Sequence, residues 1–208
     1  MLHALMPSRV RVLDVGCGTG SVTVIANRER DNTVIGIEPD NQRADLARSR
    51  GLTVYTGFLD DTFLAAHGPF DVVMASDVLE HTASPAVLLK LMALAIKPDG
   101  IVLVSVPNVA HWSVRLNLLM GRFDHEPVGI MDATHLRWFT ARTISSLFEQ
   151  SGLQVIEMRH TAGTTLPVYG RGVLRWIPRG KTRAIRSLTR AFPLLFGVQH
   201  VVKARVRA

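Results

Sequence analysis

A chain of 208 residues is long enough to bury one sizeable core, and a second full domain is not expected. Apolar residues make up 47 % and fall in short blocks between Gly, Pro and Asp, which excludes a disordered chain, and none approaches the roughly 18 residues of a membrane span. The net charge of +7 is uneven, because residues 158–208 hold eleven Lys/Arg and no acid while the rest carries 13 basic against 17 acidic residues.

The opening Met1–Pro7 lacks the apolar stretch of a signal peptide, so a cytoplasmic protein is expected. Val10–Val15 reads as a short buried strand that runs into Asp14-Val15-Gly16-Cys17-Gly18-Thr19-Gly20, and Ser21–Arg30 continues as a helix. Cys17 is the only cysteine, which excludes an internal disulfide and a cysteine-based zinc site. Thr33–Glu38 is a second strand, Asn41–Arg50 a helix stopped by Gly51, and Thr53–Thr56 a third strand. Phe70–Ala75 is a fourth strand. Ser84 and Pro85 open a helix to about Ile96, with Ser84 as N-cap. Asp99-Gly100 turns into a fifth strand, Ile101–Val106. Strands alternating with helices predict a doubly wound α/β domain, a mostly parallel sheet with helices on both faces.

Beyond Pro107 the rhythm changes. Val109–Gly121 reads as a helix, 122–137 as a polar connection, and Thr140 as the cap of a helix ending near Ser151-Gly152. Leu153–Arg159 and His200–Val206 read as two final strands, with residues 160–198 as a basic insertion between them. Within it, Ile185, Leu188, Phe192 and Leu195 share one face of a helix over 181–196 that Pro193 limits, and Arg179, Arg183, Arg186 and Arg190 share the other. Two readings stand: a helix lying peripherally on an anionic inner membrane surface, or one that packs its stripe on the sheet.

In open α/β sheets ligands sit beyond the carboxyl ends of the strands, where the glycine loop falls. Its spacing is Gly-x-Gly-x-Gly after an acid, not the Gly-x-Gly-x-x-Gly of dinucleotide sites. Glu38 ends the second strand 18 residues after Gly20, where a carboxylate accepts hydrogen bonds from ribose hydroxyls and repels a 2′-phosphate.

The strings VLDVGCGTGS, IGIEPD, FDVVMASDVLEH and KPDGIVLVSVPN, in this order and spacing over about residues 10–108, resemble the class I S-adenosylmethionine-dependent methyltransferases. The resemblance implies a Rossmann-like seven-stranded sheet with the last strand antiparallel, and S-adenosylmethionine as cofactor. It implies that Gly16, Cys17, Gly18 and Gly20 border the methionine part and that Asp14 helps hold its ammonium. Glu38 with Pro39 would take the ribose, and Phe58, Leu59 and Asp60 would surround adenine; Ser76, Asp77, Glu80 and His81, which follow strand four, are expected to face the transferred methyl. Many relatives have Gly-Asp after strand three where this chain has Gly57-Phe58, so the adenine amino group falls to Asp60 or Asp61.

Glu80-His81 resembles the Glu-His pair of the family's O-methyltransferases, ubiquinone-pathway enzymes included, which makes His81 the first candidate base. Asp77 is a second catalytic candidate. Thr134–Thr140 resembles a segment of methyltransferases found among cell-surface polysaccharide genes, which adds His135 as a rival base. His111, His135 and Arg137 are candidate acceptor-binding residues, Arg137 through its planar fork; the alternative pairs Arg137 with Asp132 and packs Trp138 and Phe139 under the next helix. The scattered histidines show no metal-ligand spacing, so no metal is expected.

These residues favour methyl transfer to oxygen of a small-molecule, sugar or lipid-linked acceptor. The alternative is a methyltransferase-like accessory protein that binds the cofactor or a partner enzyme without transferring methyl, since residues 107–123 resemble a stretch of such proteins. Nucleic acid is disfavoured, because the 6 % aromatics do not interleave with the basic residues.

Overall fold

The structure is a computed structural model that describes residues 1–163 and 181–207, with Lys181 described for its backbone alone. Seven strands, β1 (Arg11–Val15), β2 (Thr33–Glu38), β3 (Thr53–Thr56), β4 (Phe70–Ser76), β5 (Ile96–Pro107), β6 (Leu153–Thr161) and β7 (Gln199–Val206), form one sheet in the order β3-β2-β1-β4-β5-β7-β6. The first five pair in parallel, while β7 runs antiparallel to both β5 and β6. β1 and β4, central and covered on both faces, are near-continuous apolar runs, as a parallel sheet requires.

Helices α2 (Ser21–Asn27), α3 (Asn41–Ser49), α4 (Asp61–His67) and α5 (Pro85–Ala95) make the crossovers. The main core packs Leu89 and Met92 of α5 with Ile144 and Phe148 of α7 (Ala141–Gln150) against Leu13, Val73 and Val104. On the other face, α1 (Leu2–Leu5) packs Leu2 and Leu5 against Val12, Met74 and Leu103.

The structure corrects several sequence expectations. Neither α1 nor α4 was expected; α4 is capped by Asp60, whose Oδ1 accepts the Phe63 N–H at 2.8 Å. Ser84 precedes α5 but makes no side-chain cap, so Pro85 alone marks that start. There is no clean turn at Asp99-Gly100. The strand begins at Ile96, and its register jumps from Phe70↔Ile96 to Val72↔Ile101, so the extra residues bulge. The helix expected over 109–121 is the shorter α6 (Trp112–Leu119). Thr140 caps α7 as expected, through a capping box with Thr143.

The 181–196 segment is two helices, α8 (Lys181–Ala191) and α9 (Pro193–Phe196). The expected stripe divides: Ile185 is buried beside Thr189, whereas Leu188 and Phe192 are 40 % and 59 % exposed. Arg183, Arg186 and Arg190 are exposed, and Arg179 lies outside the described residues. Among the described residues no helix is long and apolar enough to cross a membrane.

Candidate cofactor and methyl-acceptor site

The chain leaves β1 through three glycines at positive φ, 66° at Gly16, 54° at Gly18 and 76° at Gly20, where only glycine is unstrained. Each has a different neighbourhood. A Cβ on Gly16 would lie 2.8 Å from Val78, and one on Gly20 would lie 2.5 Å from Leu52, so both are needed for packing. A Cβ on Gly18 would meet nothing within 4 Å, which leaves that stretch of main chain open to a ligand.

Glu38, buried at the end of β2, ties this loop down. Its Oε2 accepts the Gly18 N–H at 2.8 Å and its Oε1 accepts the Asp40 N–H at 3.0 Å. Each carboxylate oxygen has a second lone pair to offer.

A cavity of about 650 Å³ opens beyond the strand ends, within the range of small-molecule sites. Gly16, Gly18, Glu38, Pro39, Phe58, Leu59, Asp77 and His81 lie on its wall, all of them expected there from the sequence. Val87, Leu88 and Leu91 of α5, together with Arg43 and Thr134, also line it and were missed. The helix after strand four was legible, but not which of its faces looks into the cavity.

Other expected residues stand off the wall. Asp14 is buried beneath the loop, with Thr23 Oγ1 donating to its Oδ2 at 2.5 Å and its Oδ1 left without a partner. Burial pushes its carboxyl up to about 7, against the Thr23 hydrogen bond and helped by the charge of Glu38. Cys17 packs its Sγ against Gly36, and burial pushes its thiol up to about 12. Gly20 turns the loop into α2, Asp60 caps α4, and the Ser76 Oγ sits 2.9 Å from the Ser105 Oγ. Phe58 is 77 % exposed at the cavity edge, as a residue covering a planar base would be.

After β4, Leu79–His81 forms a 3-10 turn. The backbone carbonyl of Glu80 accepts the N–H groups of Leu136 (2.8 Å) and Arg137 (3.1 Å), which staples the 134–137 loop beside His81. His81 Nδ1 lies 3.2 Å from the Thr134 carbonyl oxygen. A carbonyl only accepts, so Nδ1 is the donor, and in the neutral ring the lone pair then falls on Nε2. His135 repeats the arrangement, with Nδ1 3.1 Å from the Ile130 carbonyl, but it is buried behind His81 at a ring separation of 4.8 Å. Burial, then the His81 charge, lowers the pKa of His135.

Glu80 is 1 % exposed, and among the described residues neither of its carboxylate oxygens has a hydrogen-bond partner. Burial, reinforced by the charge of Asp77, pushes its carboxyl up to about 8. Burial also raises the carboxyl of Asp77, opposed by hydrogen bonds from Ser105 and Gln199. One donor atom from each of Glu80, His81 and His135 lies within 4.8 Å of the others, close enough to share a cation. Sequence spacing could not show that grouping, because His135 arrives from a distant loop.

His111 is fully buried as the N-cap of α6, its Nδ1 2.8 Å from the Ser113 Oγ, and burial pushes its pKa to about 4. It does not lie on the wall of this cavity. Arg137 does not pair with Asp132; its guanidinium donates to the Ala83 carbonyl at 2.9 Å on the cavity rim, and Asp132 accepts from Thr134 instead. Phe139 packs in the main core beside Ile144 and Phe148.

A parallel sheet with an antiparallel β7, a glycine loop open at Gly18 and a carboxylate ending β2 define a nucleoside-binding protein with the methyltransferase fold. The family model described as a methyltransferase domain matches residues 2–158, and the chain belongs to that family. It is 27 % identical over 160 residues to the mitochondrial ubiquinone biosynthesis O-methyltransferase of Bos taurus, covering 71 % of this chain and 42 % of that one. Against the ubiquinone biosynthesis O-methyltransferase of Dinoroseobacter shibae it is 28 % identical over 157 residues, covering 72 % of this chain and 62 % of the relative. The match thus spans less than two thirds of either relative's length. A solved SAM-dependent methyltransferase from Thermotoga maritima shares the fold with a TM-score of 0.64 at 17 % identity, covering 98 % of this chain and 84 % of that one.

Proposed function

We propose that the chain transfers a methyl group from S-adenosylmethionine to an oxygen of a small acceptor. The observation that carries this reading is one cavity with the open Gly18 main chain and Glu38 on one side and His81 on the other. The residues fit the cofactor: the free lone pairs of Glu38 suit two ribose hydroxyls, Phe58 and Leu59 suit a base, and Gly18 leaves room for close approach. Bound there, S-adenosylmethionine supplies a methyl already activated by its positive sulfur, so the protein's task is alignment and proton removal. His81, held with its lone pair on Nε2, takes the acceptor's hydroxyl proton. His135 stands behind it and orients the loop.

Calorimetry with S-adenosylhomocysteine, then labelling of fractionated cell extracts with S-adenosylmethionine, tests the reading; no binding of S-adenosylhomocysteine overturns it. Once the acceptor is known, His81→Ala leaves cofactor affinity near wild type and lowers turnover about 10²-fold. His135→Ala, off the cavity wall, lowers it by about tenfold or less, because a positioning group contributes less than the base itself. A wild-type rate in His81→Ala returns that residue to a structural role.

The acceptor we infer is lipid-linked, reached by peripheral contact of α8 and α9 with an anionic surface. Supporting this, exposed Leu188, Phe192 and Leu194 accompany exposed Arg183, Arg186 and Arg190. Each arginine near such a surface contributes about 1 kcal/mol. Vesicle flotation is expected to show binding that needs anionic lipid, weakens with salt and disappears when these arginines become Gln. No binding to anionic vesicles at low salt makes the acceptor a water-borne one.

A further inference from the structure

The cavity wall carries two carboxylates on opposite sides of the β1 loop, Glu38 at the end of β2 and Asp77 after β4. Both oxygens of Glu38 serve backbone N–H groups on the loop side. Asp77 is held differently. It sits in the left-handed region, φ 55°, with its own N–H donating to the Ser105 carbonyl at 3.0 Å. Its carboxylate is met from a strand 122 residues further along the chain: Gln199 Nε2, at the start of β7, lies 2.8 Å from Oδ1 and 2.8 Å from Oδ2. Ser105 Oγ adds a third contact, donating to Oδ1 at 3.2 Å.

The direction of the Gln199 amide follows from its partners. A carboxylate only accepts, so the Gln199 nitrogen faces Asp77 and its Oε1 faces Thr161, the partner on β6, whose hydroxyl donates to it at 3.3 Å. The backbone leading into Gln199 is anchored as well. Asn108 donates its side-chain amide to the carbonyls of Leu194 (3.0 Å) and Gly197 (2.8 Å), and its own N–H to the Val198 carbonyl at 2.8 Å. Val198 in turn donates to the Thr161 carbonyl at 2.9 Å. Ser105 of β5, Gln199 of β7 and Thr161 of β6 thus join Asp77, just after β4, in one chain of side-chain contacts, and Asp77 is the member of that group that reaches the cavity.

We propose that Gln199 is a positioning residue for the transfer site, clamping Asp77 so that its carboxylate faces the cationic amino-acid end of the cofactor. This rests on the S-adenosylmethionine reading above. With the ribose on Glu38, the charged end of the ligand must lie across the loop, on the β4 side, where Asp77 is the carboxylate on the wall. Asp14, sealed beneath the loop against Thr23, is not available for that role. A carboxylate in the left-handed backbone conformation, gripped at both oxygens, cannot swing away to follow solvent. The clamp therefore supplies pre-organisation that Asp77 alone would lack.

The test uses Gln199→Leu, which keeps the side-chain bulk and removes the amide, together with Asp77→Ala and the double variant. S-adenosylhomocysteine affinity is expected to fall about tenfold in Gln199→Leu, and the double variant is expected to match Asp77→Ala with no further loss. A strictly structural role would instead give additive losses. A spectroscopic readout accompanies it: in wild type the Gln199 Nε2 protons are shifted downfield and exchange slowly, and in Asp77→Ala they return to the positions of a solvated amide. Wild-type affinity in Gln199→Leu, additive losses, or solvated Gln199 amide signals in wild type would each overturn the proposal. A wild-type protein that binds no S-adenosylhomocysteine overturns the cofactor reading separately, because the amide signature reports the clamp without any ligand.

Discussion

Replacing Glu38 by alanine is expected to weaken S-adenosylhomocysteine binding about 100-fold, because two charge-assisted hydrogen bonds to the ribose are each worth roughly 1.5–3 kcal/mol and part of that is recovered from water. The same carboxylate holds the Gly18 and Asp40 N–H groups, so the variant also loosens the loop. Those two N–H groups are only partly buried, and water can replace the lost acceptor. The accompanying loss of stability is therefore small, about 1–2 kcal/mol. Calorimetry for affinity and urea unfolding for stability separate the two effects. Unchanged affinity in Glu38→Ala removes the ribose from this position.

The second large effect is on stability against pH. Glu80 is buried with no partner for either oxygen among the described residues, and burial pushes its carboxyl up to about 8 from an ordinary 4.5. The folded protein thus binds that proton more tightly than the unfolded chain, so this group's contribution to stability is full below pH 4.5 and is lost as pH rises toward 8. The loss attributable to this one group is on the order of 4 kcal/mol. Glu80→Gln keeps the shape and cannot ionise. In chelator-treated protein, urea unfolding is expected to show the variant gaining stability relative to wild type between pH 5 and pH 9. Asp14 titrates in both proteins and cancels in the difference. Parallel curves for the two proteins would mean that Glu80 ionises freely in the fold.

The parts of this molecule that could be read from the sequence are those whose signal is local. The glycine loop, the strands Thr33–Glu38 and Thr53–Thr56, and the Thr140 cap follow from short-range sterics and periodicity, and they stand where the sequence puts them. The cavity residues carried by the same strings, Gly16, Gly18, Glu38, Phe58, Leu59, Asp77 and His81, lie on one wall. What stayed hidden is partly local and unmarked by periodicity, and partly set by pairing across the chain. Asp60 reads as a base contact, and its Oδ1 also caps α4, a helix of seven residues that is too short to announce itself by periodicity. His111 reads as an acceptor ligand, while the burial that the fold gives it and its place as the N-cap of α6 beside Ser113 were not legible. The Gln199–Asp77 contact leaves no mark in either neighbourhood, because nothing in a local pattern says which loop end meets which strand. The tail misled for a related reason. A helical stripe gives the face that is apolar, and tertiary contacts decide how much of it is covered; here Ile185 is covered and Phe192 is not.

The position of β7 between β5 and β6 has a consequence for how the domain assembles. Among the described strands β6 pairs with β7 alone, and its partner follows it by 38 residues at the Thr161–Gln199 pair. During synthesis the parallel half of the sheet can close as it emerges, whereas β6 must wait, with its backbone groups satisfied only by water, until β7 is made and threads into the gap. Closure there is a non-local step, slow by the measure of contact separation, and it joins two strands to the sheet at once. The cavity's β4 side is finished in that same step, since Gln199 arrives on the inserted strand. A nascent chain short of residue 199 would hold the ribose side of the pocket and still lack the support of Asp77.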